Sequence, residues 1–184
     1  MLRVLVPLAQ GCEELEAITI TDLLVRAGIQ VTTAGLDHQP VTASRGTRIL
    51  PDTSIDQVLD QSFDMIVLPG GLPGADHLRD DARLQQLLKK HASSDRPVAA
   101  ICAAPKALAA AGLLDGKTAT AYPGTLETLH NTAITISARD IEIDGNVITS
   151  RGPGTAMDFA LKLIEILAGK AKRDEVNAQL VRNH

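Results

Sequence analysis

The sequence places a cysteine, Cys102, where a buried strand is predicted to turn sharply into a helix. The apolar run over residues 97–101 is typical of a strand in a parallel sheet, and residues 105–111 predict a helix. Small residues flank the cysteine on both sides, as in the Gly-x-Ser-x-Gly turns that expose a hydrolase nucleophile. The dipole of the following helix is expected to favour the thiolate. The alternative is an inert buried thiol, because free cysteine is among the residues most often buried.

A carboxyl group near the start of the first predicted helix is expected to point into the protein. At 100° per residue, Glu16 shares the apolar face of this helix with Ile20 and Leu23. Burial raises the pKa of a carboxyl group, so Glu16 could keep its proton and donate a hydrogen bond to a neighbouring thiolate. Glu13 lies on the same face and Glu14 nearer its edge. For these two, the preference of acidic side chains for the first helical turn is a sufficient explanation.

Two glycines, Gly70 and Gly71, directly follow the predicted strand over residues 64–68. Glycine allows a backbone to approach a ligand and to turn its N–H groups inward as an oxyanion pocket. The loop is not a dinucleotide-binding fingerprint, because Pro69 takes the place of the first glycine and the loop does not follow the first strand. A plain turn is the alternative.

Strands and helices alternate along the chain, which predicts an α/β protein with a single domain over residues 1–184. Nearly continuous apolar runs indicate strands covered on both faces, in a mostly parallel sheet between helical layers; they cover residues 2–8, 30–34, 64–68 and 97–101. Helical patterns cover residues 13–27, 81–93, 105–111, 155–168 and 173–181. Antiparallel hairpins are predicted over residues 41–50 and 141–149. Ligands bind beyond the carboxyl ends of parallel strands, so the loops over residues 10–14 and 69–74 and the turn at Cys102 are expected to form one site.

The composition excludes several classes of function. The net charge is −4 and the aromatic side chains are Phe63, Tyr122 and Phe159, so no stable complex with nucleic acid is expected. The two cysteines, Cys12 and Cys102, form no metal-binding or disulfide spacing, and we expect no metal and no cofactor. No apolar stretch approaches the ~20 residues of a membrane span. We therefore expect a cytoplasmic protein that does not bind membranes.

Five short segments carry a resemblance to a known family. In order they are Gly-Cys-Glu-Glu-Leu-Glu at 11–16, Ala-Ser-Arg-Gly at 43–46, Leu-Pro-Gly-Gly at 68–71, Ala-Ala-Ile-Cys-Ala at 99–103 and Ser-Arg-Gly-Pro-Gly-Thr at 150–155. Together they resemble the DJ-one branch of the ThiJ/PfpI superfamily, over essentially the full length of the chain. The resemblance implies a flavodoxin-like three-layer sandwich and a homodimer.

The resemblance also implies roles for individual residues. It identifies Cys102 as a reactive, oxidation-prone cysteine and Glu16 as its protonated partner, with backbone N–H groups lining the pocket. The residues expected to bind substrate or an oxyanion are Gly70, Gly71, Ala103, Tyr122, Glu13 and Arg45.

The activities that the resemblance implies are of two classes. The first is cofactor-independent enzymatic action on methylglyoxal-like α-oxoaldehydes, as a glyoxalase, or on their early glycation adducts, as a deglycase. The second is oxidative-stress sensing or redox-regulated chaperone action without significant turnover. A cysteine hydrolase is a weaker alternative, because Ala103 stands where the protease-like branch has a histidine. Tyr122 stands where other members have a histidine, so proton transfer is expected to depend mainly on Glu16.

Overall fold

Residues 1–182 are described by a computed structural model, whose centre is a sheet of seven strands. In chain order the strands of the protein are β1 (Arg3–Leu8), β2 (Gln30–Gly35), β3 (Val41–Thr42), β4 (Arg48–Ile49), β5 (Thr53–Ser54), β6 (Met65–Leu68), β7 (Val98–Ile101), β8 (Thr118–Ala119), β9 (Thr135–Ile136), β10 (Ile141–Asp144) and β11 (Val147–Ser150). The central sheet has the order β10-β11-β7-β6-β1-β2-β5, and its neighbouring strands are parallel except β10 and β11. Strands β3 and β4 form an antiparallel ribbon, and β8 and β9 a short parallel pair.

Helices cover both faces of the central sheet, as the sequence predicts. They are α1 (Glu14–Arg26), α2 (Gly74–Asp80), α3 (Ala82–Ala92), α4 (Pro105–Ala110), α5 (Ala156–Ala168) and α6 (Lys170–Gln179). The buried apolar side chains of α1 and α5 pack in one core cluster, and those of α3 and α4 pack in the other. Helix α2 contributes Ala75 to the first cluster and Leu78 to the second. The architecture is therefore a mostly parallel α/β sandwich of the flavodoxin-like type.

The central strands show why their sequences are apolar at almost every position. Side chains of a strand alternate between the two faces of a sheet. In β1, Val4 and Val6 belong to the cluster that contains α1 and α5, whereas Leu5 belongs to the opposite cluster. Both faces are buried, so neither set of positions can be polar.

The structure differs from the sequence prediction in four places. Helix α2 was not predicted, because it is short and begins at a glycine, Gly74. Strand β11 belongs to the hairpin predicted around Asp144-Gly145, but it also pairs in parallel with β7 and so lies inside the main sheet. Strands β5, β8 and β9 have two residues each, too few for a periodic pattern. The last helix begins at Lys170 rather than at residue 173, directly after Gly169, whose φ is +87°.

The parallel arrangement brings four chain segments to one edge of the sheet. Strands β1, β6, β7 and β11 all end there, and their continuations begin at Ala9, Pro69, Cys102 and Arg151. The three loops predicted to form one site are thus collected at the carboxyl ends of the strands. None of the helices in residues 1–182 is long and apolar enough to cross a membrane.

Candidate active site

Cys102 occupies a sharp turn between β7 and α4. Its φ is +63°, in the left-handed region that residues other than glycine rarely adopt. Hydrogen bonds fix the backbone on both sides: the Cys102 N–H donates to the Ser150 carbonyl at 3.0 Å, and the Tyr122 N–H donates to the Cys102 carbonyl at 2.8 Å. The turn predicted from the small neighbouring residues is therefore present. Strained backbone held by surrounding structure is a frequent property of functional sites.

Glu16 is completely buried, at 0% exposure, on the inner face of α1. Its Oε2 accepts a hydrogen bond of 2.7 Å from the N–H of Gly70. Its Oε1 has no nitrogen or oxygen partner within residues 1–182, and the polar group that faces the carboxyl is the Cys102 thiol. The helical periodicity that placed Glu16 among apolar side chains therefore brings it to Cys102.

Burial raises the pKa of both members of this pair. Loss of solvent raises the pKa of Glu16 to about 7, against hydrogen bonds from Gly70 and Cys102 that lower it, and the charge of Glu13 raises it further. Burial also raises the pKa of Cys102, to about 12, with the charge of Glu16 and the hydrogen bond to it acting in the same direction. Because each negative charge opposes the other, the pair titrates jointly and carries at most one negative charge near neutral pH.

The expectation that the helix dipole would favour the thiolate is wrong while Glu16 is charged. Helix α4 has only six residues and begins three residues after Cys102, so its dipole is weak at the sulfur. Burial and the Glu16 charge outweigh it. When Glu16 carries a proton, the repulsive charge is gone. The sulfur then faces the N–H groups of Gly71 and Ala103, which lower the pKa of the thiol.

The glycine loop after β6 lies against the cysteine with no room for a side chain. A Cβ atom on Gly70 would lie 2.7 Å from the Cβ of Cys102 and 2.9 Å from the nitrogen of Ala103. Gly71 has a φ of +88°, and its Cβ would lie 2.6 Å from the carbonyl carbon of Cys12. The N–H groups of the two glycines have different partners. The N–H of Gly70 donates to Glu16, and the N–H of Gly71 faces the Cys102 sulfur.

The other residues predicted to line the pocket differ in how closely they approach the Cys102–Glu16 pair. Glu13 is buried, and its Oε2 accepts a 2.8 Å hydrogen bond from the hydroxyl of Ser44. Arg45 donates its backbone N–H to the Glu14 carboxylate at 3.0 Å, while its side chain is exposed. The Tyr122 ring is half-exposed and lies beside Gly152. Within residues 1–182, therefore, Glu13 joins the buried pair, but the side chain of Arg45 does not.

Two contributors to the site were missed by sequence reasoning. The carbonyl of Ser150 anchors Cys102 by accepting its N–H, a backbone role that the sequence did not single out. Glu14, explained above as a helix-start residue, holds the turn between β3 and β4. Partial burial raises its pKa, but N–H donors that include Arg45 and Thr47 lower it to about 2. Nothing in the local sequence pairs Glu14 with a turn thirty residues away.

The arrangement combines three chemical functions at one buried point: a thiol nucleophile, a carboxyl group that exchanges a proton near neutral pH, and two N–H donors. This combination suits addition to a carbonyl carbon, because the donors can hold the oxygen that becomes negative. Among residues 1–182, no cluster of three or more His, Cys, Asp or Glu side chains could hold a metal ion.

Comparisons of the sequence and of the structure with known proteins point to the same family. The model of the DJ-1/PfpI family matches residues 2–166. Protein dj-1beta of Drosophila melanogaster is 49% identical over 94% of this chain and 92% of its own length. The Caenorhabditis elegans protein named glutathione-independent glyoxalase DJR-1.2 is 36% identical over 91% of this chain and 89% of its own. The crystal structure of Drosophila melanogaster DJ-1beta has a TM-score of 0.95 at 46% identity, covering 100% of this chain and 99% of that one. Two Arabidopsis thaliana relatives are longer, and the chain spans 46% and 41% of them.

Replacing Glu16 by glutamine is expected to stabilise the protein increasingly as the pH rises. The raised pKa of Glu16 means that the folded state prefers the neutral carboxyl, so wild type loses stability as the pH rises from its ordinary value of 4.5 to about 7. Glutamine cannot ionise and escapes this loss. At about 1.4 kcal/mol per pH unit, the difference in unfolding free energy grows to about 3 kcal/mol. Urea unfolding at about pH 5 and about pH 8 measures it.

The matched control is Glu14→Gln, at a more exposed position in the same first turn of α1. The lowered pKa of Glu14 gives the opposite sign, so this variant is expected to be less stable than wild type at neutral pH. Its deficit is expected to shrink as the pH falls through about 2. If the stability curves of wild type and Glu16→Gln run parallel over the whole range, Glu16 does not carry a raised pKa.

Proposed function

The chain belongs to the DJ-1/PfpI family, and we propose that it converts methylglyoxal-like α-oxoaldehydes into α-hydroxy acids without a cofactor. Early glycation adducts of the same aldehydes are the second substrate class, which would make the protein a deglycase as well. The observation that carries the proposal is the buried pair of Cys102 and Glu16 beside two N–H donors. The relative from Caenorhabditis elegans that is named a glutathione-independent glyoxalase supports it.

The first step is addition of the Cys102 sulfur to the aldehyde carbon. The reactive form of the pair has its proton on Glu16 and its charge on sulfur. The new C–S bond turns the aldehyde oxygen into an alkoxide, which the N–H groups of Gly71 and Ala103 are placed to hold. Glu16 then gives its proton to this oxygen. The product is a hemithioacetal, and Glu16 is left as a carboxylate.

The second step is an internal transfer of hydrogen between the two substrate carbons. The Glu16 carboxylate removes the proton from the former aldehyde carbon and returns it to the neighbouring carbonyl carbon, while the hydroxyl proton passes from the first oxygen to the second. The first carbon is oxidised and the second reduced, so no external electron acceptor is needed. A pKa of about 7 suits Glu16 to both directions of transfer.

The last step is hydrolysis of the resulting thioester. Water adds to the thioester carbon, the Glu16 carboxylate takes a proton from that water, and the C–S bond breaks. The products are an α-hydroxy acid and the pair in its starting form. For methylglyoxal the acid is lactate.

Wild type is therefore expected to form lactate from methylglyoxal in the absence of glutathione and added metal. Cys102→Ser is expected to abolish turnover, because the serine hydroxyl is a far weaker nucleophile than the thiolate. Glu16→Gln is expected to lower kcat by at least about a hundredfold, the usual contribution of a general acid–base group. Lactate is measured by a coupled assay, with Cys12→Ser as the matched control that keeps activity. Full turnover in Cys102→Ser would remove this residue from the mechanism.

A cysteine hydrolase fits the site less well. The residue after the cysteine is Ala103, whose methyl group cannot act as the general base that an adjacent histidine would supply. His91 bonds the Pro97 carbonyl at 3.0 Å, at the amino end of β7 and thus at the opposite edge of the sheet. His77 contacts the Gln10 carbonyl at 3.1 Å.

The second candidate function is an oxidative-stress sensor or redox-regulated chaperone. The Cys102 thiolate would attack hydrogen peroxide to give a sulfenate and water, and a second peroxide would give a sulfinate. The supporting observation is that the same N–H groups and a protonated Glu16 surround the sulfur, where they can bind the oxygens of the sulfinate.

Mild peroxide is expected to add two oxygens to Cys102 before any reach Cys12. Cys12 is completely buried, and burial together with the charge of Glu14 raises the pKa of its thiol to about 11. Peptide mass spectrometry follows both sites in one sample. Oxidation of Cys12 ahead of Cys102 would contradict the assignment, and Cys102→Ser serves as the control for oxidation elsewhere.

We also propose a homodimer that acts in the cytoplasm. The outer side of α1 carries apolar side chains that are about half-exposed, namely Leu15, Ile18 and Val25, and a second copy of the chain would cover them. Both cysteines are free thiols, which suits a reducing compartment.

Ile18→Lys is expected to shift the protein from dimer to monomer, because burying an unpaired charge in an apolar interface is costly. Sedimentation equilibrium measures the mass of the assembly. Ile143→Lys is the control, since Ile143 is similarly exposed but lies on the edge strand β10. Equal masses for wild type and Ile18→Lys would exclude this surface as the interface.

A further inference from the structure

The ribbon of β3 and β4 holds the loop that leads from β1 into α1. The Gly11 N–H donates to the Thr42 carbonyl at 2.8 Å, and the Ser44 N–H donates to the Cys12 carbonyl at 2.7 Å. The Thr42 N–H also donates to Oε1 of Gln10 at 2.9 Å. The residues just before the candidate acid–base group are thus fixed by a separate element of the fold.

Ser44 adds a side-chain contact to these backbone bonds. Its hydroxyl lies 2.8 Å from Oε2 of Glu13 and 3.3 Å from Oε2 of Glu14. Glu13 is only 9% exposed, so this hydroxyl is one of few groups that can hold its carboxylate in place. Glu14 stabilises the turn that contains Ser44, because its carboxylate accepts hydrogen bonds from the N–H groups of Arg45 and Thr47.

Glu13 and Glu16 are linked through the same glycine. The Glu13 N–H donates to the Gly70 carbonyl at 2.8 Å, and the Gly70 N–H donates to Glu16 at 2.7 Å. Glu13 is also the N-cap residue of α1, and Glu16 lies in the first turn of the same helix. A charge on Glu13 therefore opposes a charge on Glu16.

Among the groups around Glu16, Glu13 is the acidic side chain that opposes its ionisation. Burial is the largest cause of the raised pKa of Glu16, and Glu13 adds to it. The thiols of Cys102 and Cys12 are the other titratable groups near the carboxyl, and both are protonated while Glu16 is charged. From the ribbon, Arg45 directs its side chain to solvent. From α5, the buried side chains that pack against α1 are apolar.

We infer that Ser44 is a positioning residue of the candidate site: its hydroxyl holds the Glu13 carboxylate beside Glu16, where the charge of this carboxylate opposes ionisation of Glu16. The inference rests on the proposed function, because it assigns the origin of the proton that Glu16 gives to the substrate alkoxide. Ser44 touches neither the substrate nor the reacting atoms. It acts through Glu13.

The test is the pH dependence of alkylation of Cys102 by iodoacetamide, followed by mass spectrometry of its peptide. This readout reports the first ionisation of the pair and needs no turnover. Glu13→Gln removes the opposing charge, so the midpoint of the first rise is expected to fall by about one pH unit. Ser44→Ala releases the carboxylate toward water and is expected to lower the midpoint by a smaller amount. Ser44→Thr keeps the hydroxyl and is expected to match wild type.

A double-mutant cycle separates positioning from general loosening of the ribbon. If Ser44 acts through Glu13, Ser44→Ala is expected to cause no further shift in the Glu13→Gln background. Glu14→Gln is the control, since it weakens the same turn and leaves the Ser44–Glu13 contact. A shift by Ser44→Ala that persists in Glu13→Gln, or an equal shift in Glu14→Gln, would overturn the inference. So would a wild-type midpoint in both Ser44→Ala and Glu13→Gln.

Lactate formation by the wild type separates failure of this inference from failure of the proposed function. Absence of lactate together with the expected midpoint shifts would exclude the glyoxalase reaction and keep Ser44 as a positioning residue for the thiol. Lactate formation with unshifted midpoints would keep the reaction and exclude the role of Ser44.

Discussion

A carboxyl group and a thiol buried side by side carry at most one negative charge between them near neutral pH, and the rest of the site is arranged around that constraint. Raising the pKa of Glu16 from 4.5 to about 7 corresponds to about 3 kcal/mol of unfavourable free energy for its charged form. This energetic cost has a functional benefit, because a carboxyl group with a near-neutral pKa can both give and take a proton. Apart from the Glu13 carboxylate and the Cys12 thiol, the pair is surrounded by apolar side chains and by backbone N–H groups that stabilise the remaining charge.

Those N–H groups determine the local backbone. To aim the Gly71 and Ala103 N–H groups at one sulfur atom, the chain passes so close to Cys102 that Gly70 has no space for a side chain. Cys102 itself adopts a φ of +63° and is held there by bonds from two other segments, through Ser150 and Tyr122. The parallel sheet makes this convergence possible, since it brings the ends of four strands to one edge.

The sequence predicts the parts of this site that depend on periodicity and local crowding. Glu16 could be placed because helical spacing puts it beside Ile20, and the turn at Cys102 could be placed because its neighbours are small. The division of N–H groups between Gly70 and Gly71 could not, because it depends on loop dihedral angles. The contact of Ser44 with Glu13 joins segments about thirty residues apart without any pattern in either. The expected effect of the helix dipole failed because α4 is too short to outweigh burial and a neighbouring charge.

Because position 122 is a tyrosine, the proposed cycle depends on Glu16 for the proton transfers to the alkoxide, between the two carbons and from the hydrolytic water. The order of steps allows this. Giving its proton to the alkoxide converts Glu16 into the carboxylate that is needed next to remove a proton from carbon. After the transfer between carbons it is again a carboxylate, the form that can take a proton from the hydrolytic water. Expulsion of the Cys102 thiolate then restores the one-charge pair, so one buried carboxyl group completes the cycle, with the proton of the acid product leaving to solvent.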